Sequence, residues 1–162
     1  MSRAGDVPLL AMLVALSAWL GAAVIVAAIV APAAFAVLPS RMLAGALVGR
    51  VLPMLFWSGA ILGLVVAVRA VPQARGPSWL AATGVLLALA GAGAQLVVAP
   101  RIERVRASIG GVPMDVLDSA DPRRIAFGRL HGLSLLSLAV AMLSAVAAIW
   151  LCTRLLTQRS IP

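Results

Sequence analysis

Residues 99–134 read APRIERVRASIGGVPMDVLDSADPRRIAFGRLHGLS and hold six of the chain's thirteen arginines, four of its five acids and its only histidine. The rest of the chain is close to pure hydrocarbon, and that contrast decides the fold. A charged connection flanked by apolar runs long enough to cross a bilayer is what joins two spanning helices at a membrane surface. Of the 162 residues, 63% are hydrophobic and 11% charged, against about 25% charged in an ordinary soluble domain. So little polar surface does not cover a water-soluble core of this size. Arginine is the only cationic residue type, and the formal net charge is +8. The arginines stand at the ends of apolar runs, where anionic headgroups stabilise each by about 1 kcal/mol. Aromatics are only 4%, and the basic residues do not share one folded face, so the expected partner is a lipid bilayer with anionic headgroups and not nucleic acid.

Four spans are expected, at about 8–31, 42–70, 78–99 and 122–153, forming one membrane-embedded domain: an all-α, antiparallel four-helix bundle with a short amphipathic extension after the third helix. In the first run the continuous apolar part, residues 9–30, is longer than the roughly 7–15 residues of a cleavable signal, which favours a span over a leader. Ser17 and Trp19 are expected to bond and pack locally. Pro32 and Pro39 mark the loosening and end of helix 1, and Ser40 reads as the N-cap of helix 2. Pro53 is expected to kink that helix. Four-residue spacing puts Gly45 with Gly49, and Gly59 with Gly63, on single helix faces as close-packing pairs. Self-association of the chain is the other outlet for the Gly45/Gly49 pair. A polar turn of Arg69, Pro72, Arg75 and Pro77 leads to helix 3, which holds Gln95 among apolar residues and is expected to bury it against a partner helix.

Helix 3 is expected to continue past Pro100, because Ile102, Val105 and Ile109 form one stripe with charges opposite, ended by Gly110 and Gly111. The acids Asp115, Asp118 and Asp121 lack the central glycine and terminal glutamate of an EF-hand. Asp121 instead reads as the N-cap of helix 4, with Pro122 at its first position. Phe127, His131, Ser134 and Leu138 follow at spacings of four, three and four and share one face, expected to point inward. If Arg101 and Arg129 mark one surface, Gln95 and Ser134 lie at nearly equal depth, about 9 Å inside by the helical rise. The candidate polar site is thus Gln95, His131, Ser134 and Phe127, with Arg101, Arg104, Arg106 and Arg124 as the interfacial basic residues.

The patches AWLGAAVIVAAIVAPAAF, AGALVGRVLPMLF, APRIERVR and FGRLHGLS, in this order, resemble the domain-of-unknown-function family 4149, the transmembrane-protein-205-like group. The resemblance covers nearly the whole chain, and its most specific part is the FxxLHxxS pattern of Phe127, Leu130, His131 and Ser134. It implies a small integral membrane protein of four helices with no firmly assigned activity. One departure is Leu138, where the family pattern leads us to expect asparagine.

Three functional classes follow. A self-contained haem or copper site needs paired ligands, and one histidine with one cysteine toward the other end of helix 4 does not supply them. An oligomer, or a thioether from Met42 or Met54, would have to complete such a site, so no metal or other cofactor is expected. A lipid-acting enzyme would draw on His131 with Asp118 or Asp121, or on Glu103 beside the arginines. A small transport, assembly or accessory protein needs only a packed bundle with a polar pocket where helices 3 and 4 connect, and this class suits the residues best. The arginines fall eight to five in favour of the side bearing the 1–2 and 3–4 connections. By the positive-inside rule both termini lie outside, in a multi-pass protein expected in a cell membrane of the bacterial inner-membrane type.

Overall fold

The computed structural model describes residues 7–70, 78–110, 112–114 and 116–160, except for the side chains of residues 159 and 160. The expected features at Arg3, Pro72, Arg75, Pro77, Gly111, Asp115 and the Arg159 side chain lie outside the described residues. Four helices are long and apolar enough to cross a membrane: α1 Val7–Val37, α2 Arg41–Ala70, α3 Trp79–Ser108 and α4, whose helical segment is Pro122–Ser160. No strand occurs among the described residues. The fold is an all-α four-helix membrane bundle.

Helices α1 and α3 each run straight through a proline, and each does so by the same device. Proline lacks an N–H, and its ring collides with the carbonyl four residues back. Ahead of Pro32 the segment Val26–Val30, and ahead of Pro100 the segment Ala94–Val98, widen into a π turn. The Ala31 N–H then donates to Val26 O, and the Ala99 N–H to Ala94 O, five residues back in each case. Beyond the widened turn the proline occupies the first turn of a renewed α segment, where no N–H is required. Pro53 is accommodated differently. It sits inside an uninterrupted α2 and cannot donate to the Gly49 carbonyl.

The helix ends follow the local chemistry of the sequence. Ser40 Oγ accepts from the Leu43 N–H at 3.2 Å, and Ser78 Oγ from the Ala81 N–H at 3.2 Å. At α4 the Asp121 carboxylate accepts the Arg123 N–H at 2.8 Å. Gly110, at φ 61°, takes the left-handed turn that closes α3.

In the bundle α1 packs on α2 and α4, and α3 packs on α2 and α4, while the diagonal pairs hardly touch. The α2–α3 interface is the most extensive, because both helices are stripped of side chains along the seam. A Cβ built on Gly63 would lie 2.6 Å from Ala88 N and Gly84 O, and one on Gly91 would lie 2.5 Å from Phe56 O. Gly59 serves a different neighbour: its missing Cβ makes room for the Trp19 indole, 2.7 Å from where that atom would sit. The buried Trp19 Nε1–H donates to Leu55 O at 3.0 Å, joining α1 to α2. Leu9, Leu16, Phe56, Val66, Leu87 and Cys152 fill the centre. Outward, Ile61, Leu64, Leu89 and Leu143 are each 60% exposed or more, as expected of a lipid-facing surface. Exposed Trp79 and Trp150, with Arg154 stacked 4.2 Å over the latter ring, mark the end of the bundle opposite the charged connection.

Candidate functional site

At the charged end the helices part. A cavity of about 700 Å³ opens between α2, α3 and α4. On the α2 side its wall includes Arg41, Met42, Gly45, Gly49, Leu52, Pro53 and Phe56. From α3 come Ala94, Gln95, Ile102, Glu103 and Arg106, from the connection Ile109, Val112, Pro113 and Met114, and from α4 Arg124, Phe127, Gly128, His131 and Ser134. Phe35 is its one α1 residue. The last turns of α1, past the widened turn, lean on α2 and leave α4.

All members of the expected polar site therefore meet one space: Gln95, Phe127, His131 and Ser134 line it together. They are not bonded to one another as expected. Phe127 and His131 rings lie parallel within 5° at a centroid distance of 6.1 Å. Arg106 stands 5.7 Å over the Phe127 ring, so a guanidinium, a phenyl and an imidazole form a stacked series. Neither His131, Gln95 nor Ser134 hydrogen-bonds to another described residue. The reason is geometric: one α-helical turn separates residue 127 from 131, which places the imidazole over its own helix neighbour and not across the gap.

Other polar side chains of the spans behave differently. Ser58 donates to Leu55 O at 3.0 Å, Thr83 to Leu80 O at 2.8 Å, Ser137 to Leu133 O at 2.9 Å and Ser144 to Val140 O at 2.8 Å. Each hydroxyl gives its one proton to a carbonyl of its own helix and has no donor left for a ligand. Gln95 and Ser134 keep their hydrogen-bonding capacity turned to the cavity.

The interfacial arginines divide into two pairs. Arg106 and Arg124 line the cavity, whereas Arg101 and Arg104 are exposed and do not. Arg106 Nη1 donates to Glu103 Oε1 at 3.0 Å, and Arg124 Nη1 donates to Leu117 O at 2.6 Å, tying the connection to α4. Gly45 and Gly49 meet no helix backbone among the described residues. A Cβ there would lie 3.8 and 3.7 Å from the Arg106 guanidinium, so this pair forms a flat wall beside a cation, unlike the backbone seam at Gly63. Glu103 and Met42, named above as an acid/base candidate and a possible thioether ligand, line the same cavity as His131, as does Arg41, which sequence reasoning did not include in the candidate site. The signal was present, since Arg41 opens α2 at the same surface where α3 ends and α4 begins.

Outside the membrane segments, Asp121 is held well below the ordinary carboxylate range, at about 2, by the Arg123 side chain and then by the Arg123 backbone N–H. It and Asp118, which accepts the Ala120 N–H at 2.7 Å, are occupied with the connection and do not line the cavity.

Four apolar helices around an interfacial cavity define a multi-pass membrane protein. The chain belongs to the family described as Domain of unknown function (DUF4149), whose model matches residues 14–110. That segment runs from within α1 to the end of α3, so Phe127, His131 and Ser134 lie beyond the match. Neither the curated proteins nor the solved structures give a match to the chain.

Proposed function

We propose that this protein is a small transport, assembly or accessory protein of the cell membrane, not an enzyme, whose ligand site is the cavity where α3 and α4 connect. The observation that carries this reading is the concentration around one cavity of polar groups without hydrogen-bond partners among the described residues, Gln95 from α3 and His131 and Ser134 from α4. The volume, about 700 Å³, falls in the range of ligand pockets, about 300–1,000 Å³. Against an acid/base enzyme stands the engagement of Asp118 and Asp121 by the connection itself.

A metal-associated role finds support in one observation, that Met42 and Met114 share the cavity with His131. Three arginines against one glutamate on that wall oppose a cation. Cys152 lies about 31 Å from His131 along α4 by the helical rise.

The test is native mass spectrometry of the protein purified in a mild neutral detergent. We expect a co-purified molecule on the wild type and its loss from Gly49→Trp, which fills the cavity. Equal retention by both proteins, with both folded, would overturn the site.

A further inference from the structure

The cavity is elongated, and its charge is confined to one end. Along α2 it reaches from Arg41 to Phe56, about 22 Å by the helical rise, and along α3 from Arg106 back to Ala94, about 18 Å. Arg41 opens α2, Arg106 closes α3 and Arg124 opens α4, so all three guanidinium groups gather at the membrane surface. Leu52 and Phe56, well inside α2, lie toward the bilayer interior, while Phe35 sits in the last turn of α1 at the charged surface.

The positive end is not balanced from within. Among the described residues Glu103 is the one carboxylate on the wall, and it is already paired with Arg106. Arg41 has no hydrogen bond or ion pair with any described residue. Excess cationic charge against a low-dielectric wall favours an anion there. The apolar length below it favours hydrocarbon. On the side of α1 the last turns of that helix pack on α2 and leave α4, so no α1–α4 contact seals the cavity from the bilayer there.

Resting on the ligand-cavity reading above, we infer that the occupant is an anionic single-chain amphiphile taken from the bilayer, its acidic head at Arg41, Arg106 and Arg124 and its tail along Leu52 and Phe56. A membrane lipid already has this orientation, head at the surface and chain inward, so it enters sideways without turning over. Gly45 and Gly49 keep the α2 wall flat, so that the Arg106 guanidinium comes close to it.

The experiment uses the full chain in neutral maltoside detergent, with native mass spectrometry counting bound probe. Monododecyl phosphate should bind at least about tenfold more tightly than dodecanol, a ratio set by a modest charge-assisted contact. Inorganic phosphate alone should neither bind nor compete. Arg41→Gln, which removes no hydrogen bond or ion pair to a described residue, and Arg106→Gln should each weaken monododecyl phosphate by about tenfold or more and leave dodecanol unchanged. Arg154→Gln, at the opposite end, should change nothing.

Inorganic phosphate that competes as well as the amphiphile would identify a soluble anion as the ligand and overturn the inference. So would equal affinity for dodecanol, or unaltered binding by both folded arginine variants. If Gly49→Trp abolishes all capture while head charge proves irrelevant, the cavity reading survives and this inference alone fails. If Gly49→Trp binds monododecyl phosphate like the wild type, both fail.

Discussion

His131 is the residue on which the sequence invites most weight, and its surroundings define what its replacement should do. The imidazole is exposed to the cavity and stacks on Phe127, and His131→Gln breaks no hydrogen bond to a described residue. Its thermal midpoint in detergent should match wild type to within the equivalent of about 1 kcal/mol. A larger loss would mean that the ring is a strut. Asp121 shows the opposite dependence. Its carboxyl falls from 3.8 to about 2 in the folded chain, and a depressed value means that the charged form is the one folding favours. The contribution is complete above 3.8 and disappears as pH falls through about 2. Thermal midpoints of Asp121→Asn and wild type should therefore differ by a constant amount near neutrality and converge on acidification through that window. Both residues could be picked out from sequence, His131 as the only one of its kind and Asp121 as the acid before Pro122. The stacking partner of His131 could not, because spacing puts four residues on one face without saying which will touch.

Among the helices, the glycine pairs separate two uses of one motif. GxxxG spacing drew attention equally to Gly45 with Gly49 and to Gly59 with Gly63, and only the packing tells them apart. At Gly63 any side chain meets backbone at 2.6 Å, and backbone does not yield without parting α2 from α3. Gly63→Leu should destabilise the bundle by about 1–3 kcal/mol or more, the range for overpacked cores. Gly45→Ala, whose new atom finds ordinary contact at 3.8 Å, should be close to neutral. Comparable thermal midpoints for the two variants in detergent would contradict the seam. Trp19 shows where local reading ran out. A buried indole N–H needs an acceptor, but nothing in the periodicity of α1 identifies Leu55 O, which comes from the neighbouring helix.

For the molecule as a whole, the class of fold was legible because hydrocarbon length and the need to satisfy every backbone group leave few solutions inside a bilayer. The cavity was not, since it arises from the leaning of α1 and the separation of α2 from α4, and composition carries no trace of either. An even number of spans puts both termini on one side, and from the arginine excess on the 1–2 and 3–4 connections we expect that side to be the exterior. A reporter fused after Pro162 and active only outside the cytoplasm should be active, and activity of a cytoplasm-only reporter there would reverse the orientation.

The widened turn before Pro100 bears on the phase of α3. Its buried positions run Leu80, Gly84, Leu87, Gly91, Ala94 and Val98, alternating four and three residues apart, and then step by four again to Ile102 before Val105 and Ile109. The stretch thus holds one surplus residue, and each residue of a regular helix turns the face by about 100°. Without the surplus, Arg101 and Ser108 would inherit the inward places of Ile102 and Ile109. A single deletion between residues 94 and 98, Val97 for example, should relax the turn to a regular helix, keep the Arg106 side on the cavity and leave the thermal midpoint near wild type. Deletion of Ala60 from α2, a helix with no residue in reserve, should abolish folding, as size exclusion would show.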